Sequence, residues 1–138
     1  MKLRTVLALA ATLAVWIPAG AEEPAGTFAA CMKRHPDPGP AANCIRLAQR
    51  QASDDMLDAF EAARRRIDAL DGSDGALAAA LTGSQRDFER YVQGQCTFVH
   101  ATFARAGFAD LAALACETDL LLQRAAVLRP FAGIGNRQ

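Results

Sequence analysis

Residues 96–116 of the chain read CTFVHATFARAGFADLAALAC, and this stretch decides the fold. It begins and ends with cysteine, and Gly107 divides it into arms of 11 and 9 residues. Arms of nearly equal length bring their ends side by side when two helices fold back on each other as an antiparallel hairpin. The spacing therefore predicts a helical hairpin that turns at Gly107 and is closed by a disulfide between Cys96 and Cys116.

The first 21 residues have the composition of a cleavable signal peptide. Lys2 and Arg4 supply positive charge, an uncharged apolar run of 13 residues follows, and small residues lie just before and at Ala21. Thirteen helical residues span about 20 Å, which is too short for a hydrocarbon core of about 30 Å. We therefore predict Sec-type export to the periplasm or the outside of the cell, cleavage after Ala21, and no membrane span in the mature chain.

Two alternatives to this cleavage fit the sequence less well. A retained N-terminal anchor needs a longer apolar run than the one present. A lipoprotein cleavage box over Phe28-Ala29-Ala30-Cys31 should adjoin the apolar run, yet charged and helix-breaking residues separate the two. Lipidation of Cys31 would also leave one of the other three cysteines without an intramolecular partner.

The remaining cysteines, Cys31 and Cys44, flank a second segment that must turn, because three prolines and a glycine lie between them. Four cysteines in a short exported chain predict two disulfides, for which three connectivities exist. The two turns favour Cys31–Cys44 together with Cys96–Cys116. Each bond closes a short loop, and we expect each to stabilise the domain by about 3 kcal/mol.

Apolar residues behind the leader recur at threes and fours, which is the spacing of one face of an α-helix. The pattern predicts a short helix over 27–33, a long second helix that Asn43 helps to cap, a third over 76–106 and a fourth over 109–128. We expect Pro130 to end the fourth helix, and Gly83 to kink or partly break the third.

These helices predict an all-α fold, a small up-down bundle or hairpin of three to four helices braced by two disulfides. One helical domain is expected over 22–132, followed by a frayed tail over 133–138. Most aromatic residues of the third helix should be buried. Tyr91 and Phe98 lie off the main apolar stripe by about one residue; partial exposure as interface anchors is one alternative, but packing against the first or second helix is the favoured one.

Charge gives little indication of a specialised partner. The chain has 15 basic and 15 acidic residues, and the two charges of the leader are both basic, so residues 22–138 carry 13 basic and 15 acidic residues. No basic stripe with interleaved aromatic residues occurs, and nucleic acid is therefore not an expected partner. A mildly acidic domain suits a basic protein partner.

The sharpest candidate for chemistry is a repeated Cys-x-x-x-His pattern, in Cys31 with His35 and in Cys96 with His100. Two such pairs on helices have the composition of a Cys2His2 metal site. In an oxidising compartment the sulfurs are expected in disulfides, and a metal site would leave the other two cysteines unexplained. We therefore predict no metal, no cofactor, no catalytic residue and no enzymatic activity.

A resemblance to a known family begins at residues 85–91, QRDFERY, with Cys96 eleven residues after the glutamine. This run is similar to the signature of the LprI-type lysozyme-inhibitor family, Gln-Arg-x-Trp-x-x-aromatic-Arg-Asp, in which a cysteine stands at the same offset. The family's partner cysteine falls on Cys116, and the resemblance covers about residues 28–128. The other positions of the family motif fall on Gln85, Arg86, Phe88, Tyr91, Arg124 and Leu128.

The chain departs from the signature at several polar positions. Phe88 stands where the family has tryptophan, Val92 where it has arginine, Gln93 where it has aspartate, and Asp58 where an upstream element has asparagine. The resemblance implies an exported, non-enzymatic binding protein that inhibits a lysozyme (muramidase) or binds another cell-wall hydrolase. Two alternatives stay open: an envelope structural or stress protein without an enzyme target, and a periplasmic protein that binds metal through cysteine and histidine.

Overall fold

The computed structural model describes residues 26–70 and 75–133, which form four α-helices and no strand. The helices are α1 (Thr27–Arg34), α2 (Pro38–Asp68), α3 (Ala76–Phe103) and α4 (Ala109–Ala132). This confirms the all-α fold class. The predicted signal peptide and residues 134–138 of the predicted tail lie outside the described residues. No helix in the described part of the chain has both the length and the hydropathy of a membrane span.

α4 is the central helix, and its most extensive contact is with α2. This seam is built largely of alanine, since Ala59 and Ala63 of α2 pack with Ala125 and Leu128 of α4. All four are buried. Small side chains allow the two helix backbones to approach closely, because the distance between packed helices depends on the residues at the contact.

A second buried cluster lies nearer the beginning of α2 and α4. Ile45 of α2 is fully buried there and packs with Ala115 of α4 and Cys31 of α1. Early residues of α2 thus meet early residues of α4, and late residues meet late ones, so the two helices run in the same direction. α3 runs opposite to both, which makes the long helices an up-down-up bundle.

The hairpin predicted from the spacing around Gly107 is formed by α3 and α4. Gly107 has a φ of +75°, a left-handed conformation that glycine adopts without steric penalty. A short 3-10 turn, Ala104–Ala106, precedes it. The disulfide Cys96–Cys116 joins the two arms, with 5.6 Å between the Cα atoms.

α1 is attached to the start of the bundle by the second predicted disulfide, Cys31–Cys44, whose Cα atoms are 5.8 Å apart. The structure thus contains both disulfides in the predicted pairing. The Phe28 ring of α1 also packs against Phe103 and Phe108, at centroid distances of 5.6 and 6.3 Å. These contacts hold the short helix across the turn between α3 and α4.

Four local expectations were wrong. The aromatic residues of α3 are mostly not buried, because Tyr91, Phe98 and Phe103 lie on faces that the other helices leave largely uncovered and are exposed. α2 begins at Pro38, so Asn43 lies inside the helix rather than at its cap; proline suits the first helical turn, where its missing N–H is not needed. α4 continues through Pro130 to Ala132, because a proline in the last turn interrupts only the end of the hydrogen-bond ladder. α3 is helical throughout, so it has no break at Gly83, while a kink there stays a prediction.

Candidate binding groove

A polar cluster joins α3 to α4 at the end of the hairpin remote from Gly107. The guanidinium of Arg124 donates from Nε to Gln85 Oε1 at 3.1 Å and from Nη2 to Ser84 Oγ at 3.1 Å. Its Cζ atom lies 5.4 Å from the centroid of the Phe88 ring, within the range of a cation–π interaction. One arginine of α4 thereby holds three α3 side chains in place, all within about one helical turn.

Gln85 is the buried member of this cluster, with 9% of its surface exposed. Its carbonyl oxygen accepts from Arg124, while its Nε2 donates to Glu89 Oε1 at 3.2 Å and lies 3.8 Å from the sulfur of Met56. A buried amide is tolerated when both its ends have partners, as here. Partial burial lowers the pKa of Arg124, but a guanidinium keeps its charge at neutral pH.

A groove of about 740 Å³ begins beside this cluster and runs along α3 and α4 toward their turn. Phe88, Val92 and Cys96 line it from α3, and Met56 of α2 lies at the cluster end. The groove exists because α3 packs along α4 but touches α2 only sparsely. Its α4 wall contributes further apolar side chains, namely those of Ala113, Leu114 and Leu121.

Charged groups in the groove are mostly acidic. Glu89 stands on the α3 wall, and Asp110 and Glu117 stand on the α4 wall. Near the turn, His100 Nε2 lies 3.1 Å from Asp110 Oδ1. Among the described residues that line the groove, none is a lysine or an arginine. The site is therefore an apolar channel with carboxylates on both sides.

The signature residues divide into three groups in the structure. Gln85 and Phe88 line the groove, and Arg124 contacts both from α4. Leu128 lies in the alanine seam. The remaining two, Arg86 and Tyr91, are exposed and are not among the residues that line the groove.

The structure adds Glu89 to the groove and also places there Val92 and Gln93, which the sequence analysis named only as departures from the family signature. Glu89, Val92 and Gln93 follow Gln85 at helical spacing, so they share its face of α3. That spacing was readable from the sequence, but nothing local indicated that this face would be left uncovered by α2. His100, considered earlier only as a metal ligand, lines the groove at its far end.

The Cys2His2 metal site is not formed by these residues. All four cysteine sulfurs are engaged in the two disulfides, so they are not thiolates and cannot serve as the sulfur ligands of such a site. The histidines of the two Cys-x-x-x-His pairs serve elsewhere. His35 is the C-terminal cap residue of α1, and His100 interacts with Asp110.

The fold and the groove define a helical domain braced by two disulfides, of the kind found outside the reducing cytoplasm. The model of the family described as lysozyme inhibitor LprI matches residues 31–128, a span that contains both disulfides and the whole groove. The chain therefore belongs to the LprI lysozyme-inhibitor family, as residues 85–96 predicted. No curated protein and no solved structure matches the chain.

Proposed function

We propose that the mature chain is an exported, non-enzymatic protein that binds and inhibits a lysozyme or a related cell-wall hydrolase, in the periplasm or outside the cell. The family match carries this proposal, because it covers 31–128 and thus nearly all of the described domain. The two disulfides and the family together indicate an extracytoplasmic protein.

The rigidity of the domain supports an inhibitory role. A protein that blocks an enzyme must hold its contact surface in one geometry, since each side chain or loop that becomes ordered on binding weakens the complex. Cys96–Cys116 crosses the hairpin at the middle of the groove, and Arg124 fixes the wall at one end. The contact surface is therefore largely ordered before a partner arrives.

The charge of the domain also supports a basic partner such as a c-type lysozyme. Residues 22–138 carry a net charge of −2, and the groove presents carboxylates without a lysine or arginine among its described lining residues. Opposite charges across an interface accelerate association and select against wrong partners.

The signature departures leave the structural part of the motif intact. Phe88 replaces tryptophan, yet its ring still lies under the guanidinium of Arg124. Val92 replaces arginine and lines the groove as an apolar residue. We infer that this chain keeps the family's frame but has a binding surface of different chemistry from that of relatives with the full signature. Its target enzyme should therefore present a different contact surface from the enzymes that those relatives bind.

The test is a turbidity assay of cell-wall lysis with the purified, oxidised chain from residue 22. We expect dose-dependent inhibition of at least one muramidase from a panel of c-type, g-type and bacterial enzymes, with binding measured in parallel by calorimetry. Reduced and alkylated protein is the control, because loss of the disulfides should abolish the effect. Unchanged lysis by every enzyme of the panel at excess inhibitor would show that the proposal is wrong.

A further inference from the structure

We propose that the groove between α3 and α4 is the docking site for a basic, amphipathic segment of the partner protein, in which lysine or arginine flanks apolar side chains. This proposal takes one element from the proposed function, namely that the partner is a cell-wall hydrolase. The location and chemistry of the site follow from the groove itself.

The shape of the groove favours a polypeptide as the occupant. Its α3 wall runs from Gln85 to His100, a distance of about 22 Å along the helix axis. The α4 wall runs alongside from Asp110 to Leu121. A channel of this length accommodates about three to four turns of a helix, in the way that an amphipathic helix lies in an apolar groove.

The apolar floor is the first part of the recognition surface. Phe88, Val92 and Leu114 are each only partly buried, although their side chains are large and apolar. In a closed three-helix bundle, α2 would cover this face of α3. Here α2 lies against α4 instead, and Met56 reaches the groove only at its end. An apolar face on the partner would therefore remove this surface from water.

The carboxylates are the second part, and they determine the sign of the occupant's charge. Glu89 and Glu117 lie on opposite walls, so a cation between them would meet a negative group on each side. Glu89 is held in position by the amide of Gln85, at 3.2 Å. Asp110 stands at the far end beside His100, at 3.1 Å. These three carboxylates would repel an acidic occupant over most of the channel, and the guanidinium of Arg124 is a positive charge only beside its cluster end.

The test compares two double variants that remove the same number of negative charges. Glu89→Gln with Glu117→Gln removes two of the three groove carboxylates, and Glu61→Gln with Asp68→Asn neutralises two exposed carboxylates on α2 outside it. Against the muramidase that the chain inhibits, we expect the groove variant to bind about tenfold more weakly and with a smaller dependence on salt. The control should stay within about twofold of the parent.

A charge insertion gives an independent measurement. Thr97 is exposed and lines the groove, whereas Thr102 is exposed on the same helix outside the lining. Thr97→Lys should weaken binding by about tenfold, while Thr102→Lys should not. Circular dichroism would verify that every variant keeps the helical content of the parent. If both groove variants bind and inhibit like the parent, the groove is not the docking site and the proposed function still stands.

A probe that needs no muramidase separates the two proposals. A synthetic amphipathic helix of leucine and lysine is titrated into the labelled chain, beside a matched peptide with glutamate in place of lysine. We expect chemical-shift changes in residues 85–100 and 110–121 with the lysine peptide alone. Equal binding of both peptides, or shifts confined to the exposed side chains of Tyr91 and Phe98, would overturn the docking proposal whatever the muramidase assays show.

Discussion

Asp119 of α4 caps the first helix of the domain by binding Thr27, a residue 92 positions earlier in the chain. Its Oδ1 accepts from the Thr27 backbone N–H at 3.0 Å and from the Thr27 hydroxyl at 2.6 Å, and Oδ2 lies 3.2 Å from the same N–H. The first N–H groups of a helix need partners outside it, and α1 has only eight residues. The helix therefore depends on α4 for its beginning.

Removal of this cap should destabilise the domain. We expect Asp119→Ala to lower the free energy of unfolding by about 1–2 kcal/mol, because the N–H and hydroxyl of Thr27 lose a charged acceptor. Urea denaturation followed by circular dichroism measures the change. Asp58→Ala, an exposed position on α2, is the control and should change stability by less than about 0.5 kcal/mol. Equal midpoints for the two variants would contradict the capping role.

Gly26 tests the same contact from the other side. A Cβ atom at this position would lie 2.7 Å from Asp119 Oδ2, too close for the carboxylate to stay where it is. We expect Gly26→Ala to lower the melting temperature in the wild-type background but to have little further effect in Asp119→Ala, since the displaced group is then absent. Additive effects in the double variant would show that the two residues do not interact.

The two disulfides should contribute similarly to stability but differently to binding in the groove. Replacing either pair by serine is expected to lower the free energy of unfolding by about 3 kcal/mol. Loss of Cys96–Cys116 should also weaken ligand binding in the groove, because this bond ties the two walls together. Loss of Cys31–Cys44 should leave groove binding unchanged, since it only anchors α1. Thermal denaturation and titration of the leucine–lysine peptide measure the two effects separately.

Arg124→Lys tests the geometry of the polar cluster rather than its charge. Lysine cannot reach Gln85 and Ser84 together while lying over the Phe88 ring, because it lacks the planar fork of arginine. We expect a loss of about 1–2 kcal/mol in the free energy of unfolding, measured by urea denaturation. Arg86→Lys, on the exposed side of the same hairpin, should have no measurable effect; a similar loss there would refute the cluster's role.

The alanine seam should be sensitive to enlargement. Ala63 is fully buried between α2 and α4, so Ala63→Leu must push the two helices apart, and we expect it to lower the free energy of unfolding by about 1–3 kcal/mol. Ala80→Leu, at an exposed position of α3, is the matched control. Denaturation midpoints would distinguish the two, and an unchanged midpoint for Ala63→Leu would mean that the seam is looser than the structure indicates.

The features that the sequence predicted correctly are those with a local signal. Cys96, Gly107 and Cys116 specify the hairpin through spacing alone, and the prolines between Cys31 and Cys44 specify the other turn. The bond between Thr27 and Asp119 has no such signal, because a contact between residues 92 positions apart depends on the whole packing of the bundle.

The groove was missed for a related physical reason. Helical periodicity identifies which residues share a face, but the neighbour that covers that face is decided by competition among helices. Leu77 illustrates the point: it lies one turn before Leu81 and therefore on the same apolar face of α3, yet it is 53% exposed. The small alanines of α2 make its contact with α4 the closer one, and α3 is left with a partly uncovered surface.

The alanine seam has a consequence for how the groove can change. It makes folding depend mainly on the seam between α2 and α4 and on the two crosslinks, while several wall positions of the groove are exposed or only partly buried. Substitutions at wall positions such as Val92 and Gln93 are then expected to have small effects on folding, and under the docking proposal they would change which partner surfaces the groove accepts. The proposed docking site would thus be a replaceable part of a fixed frame, in which a few substitutions could change the partner without changing the fold.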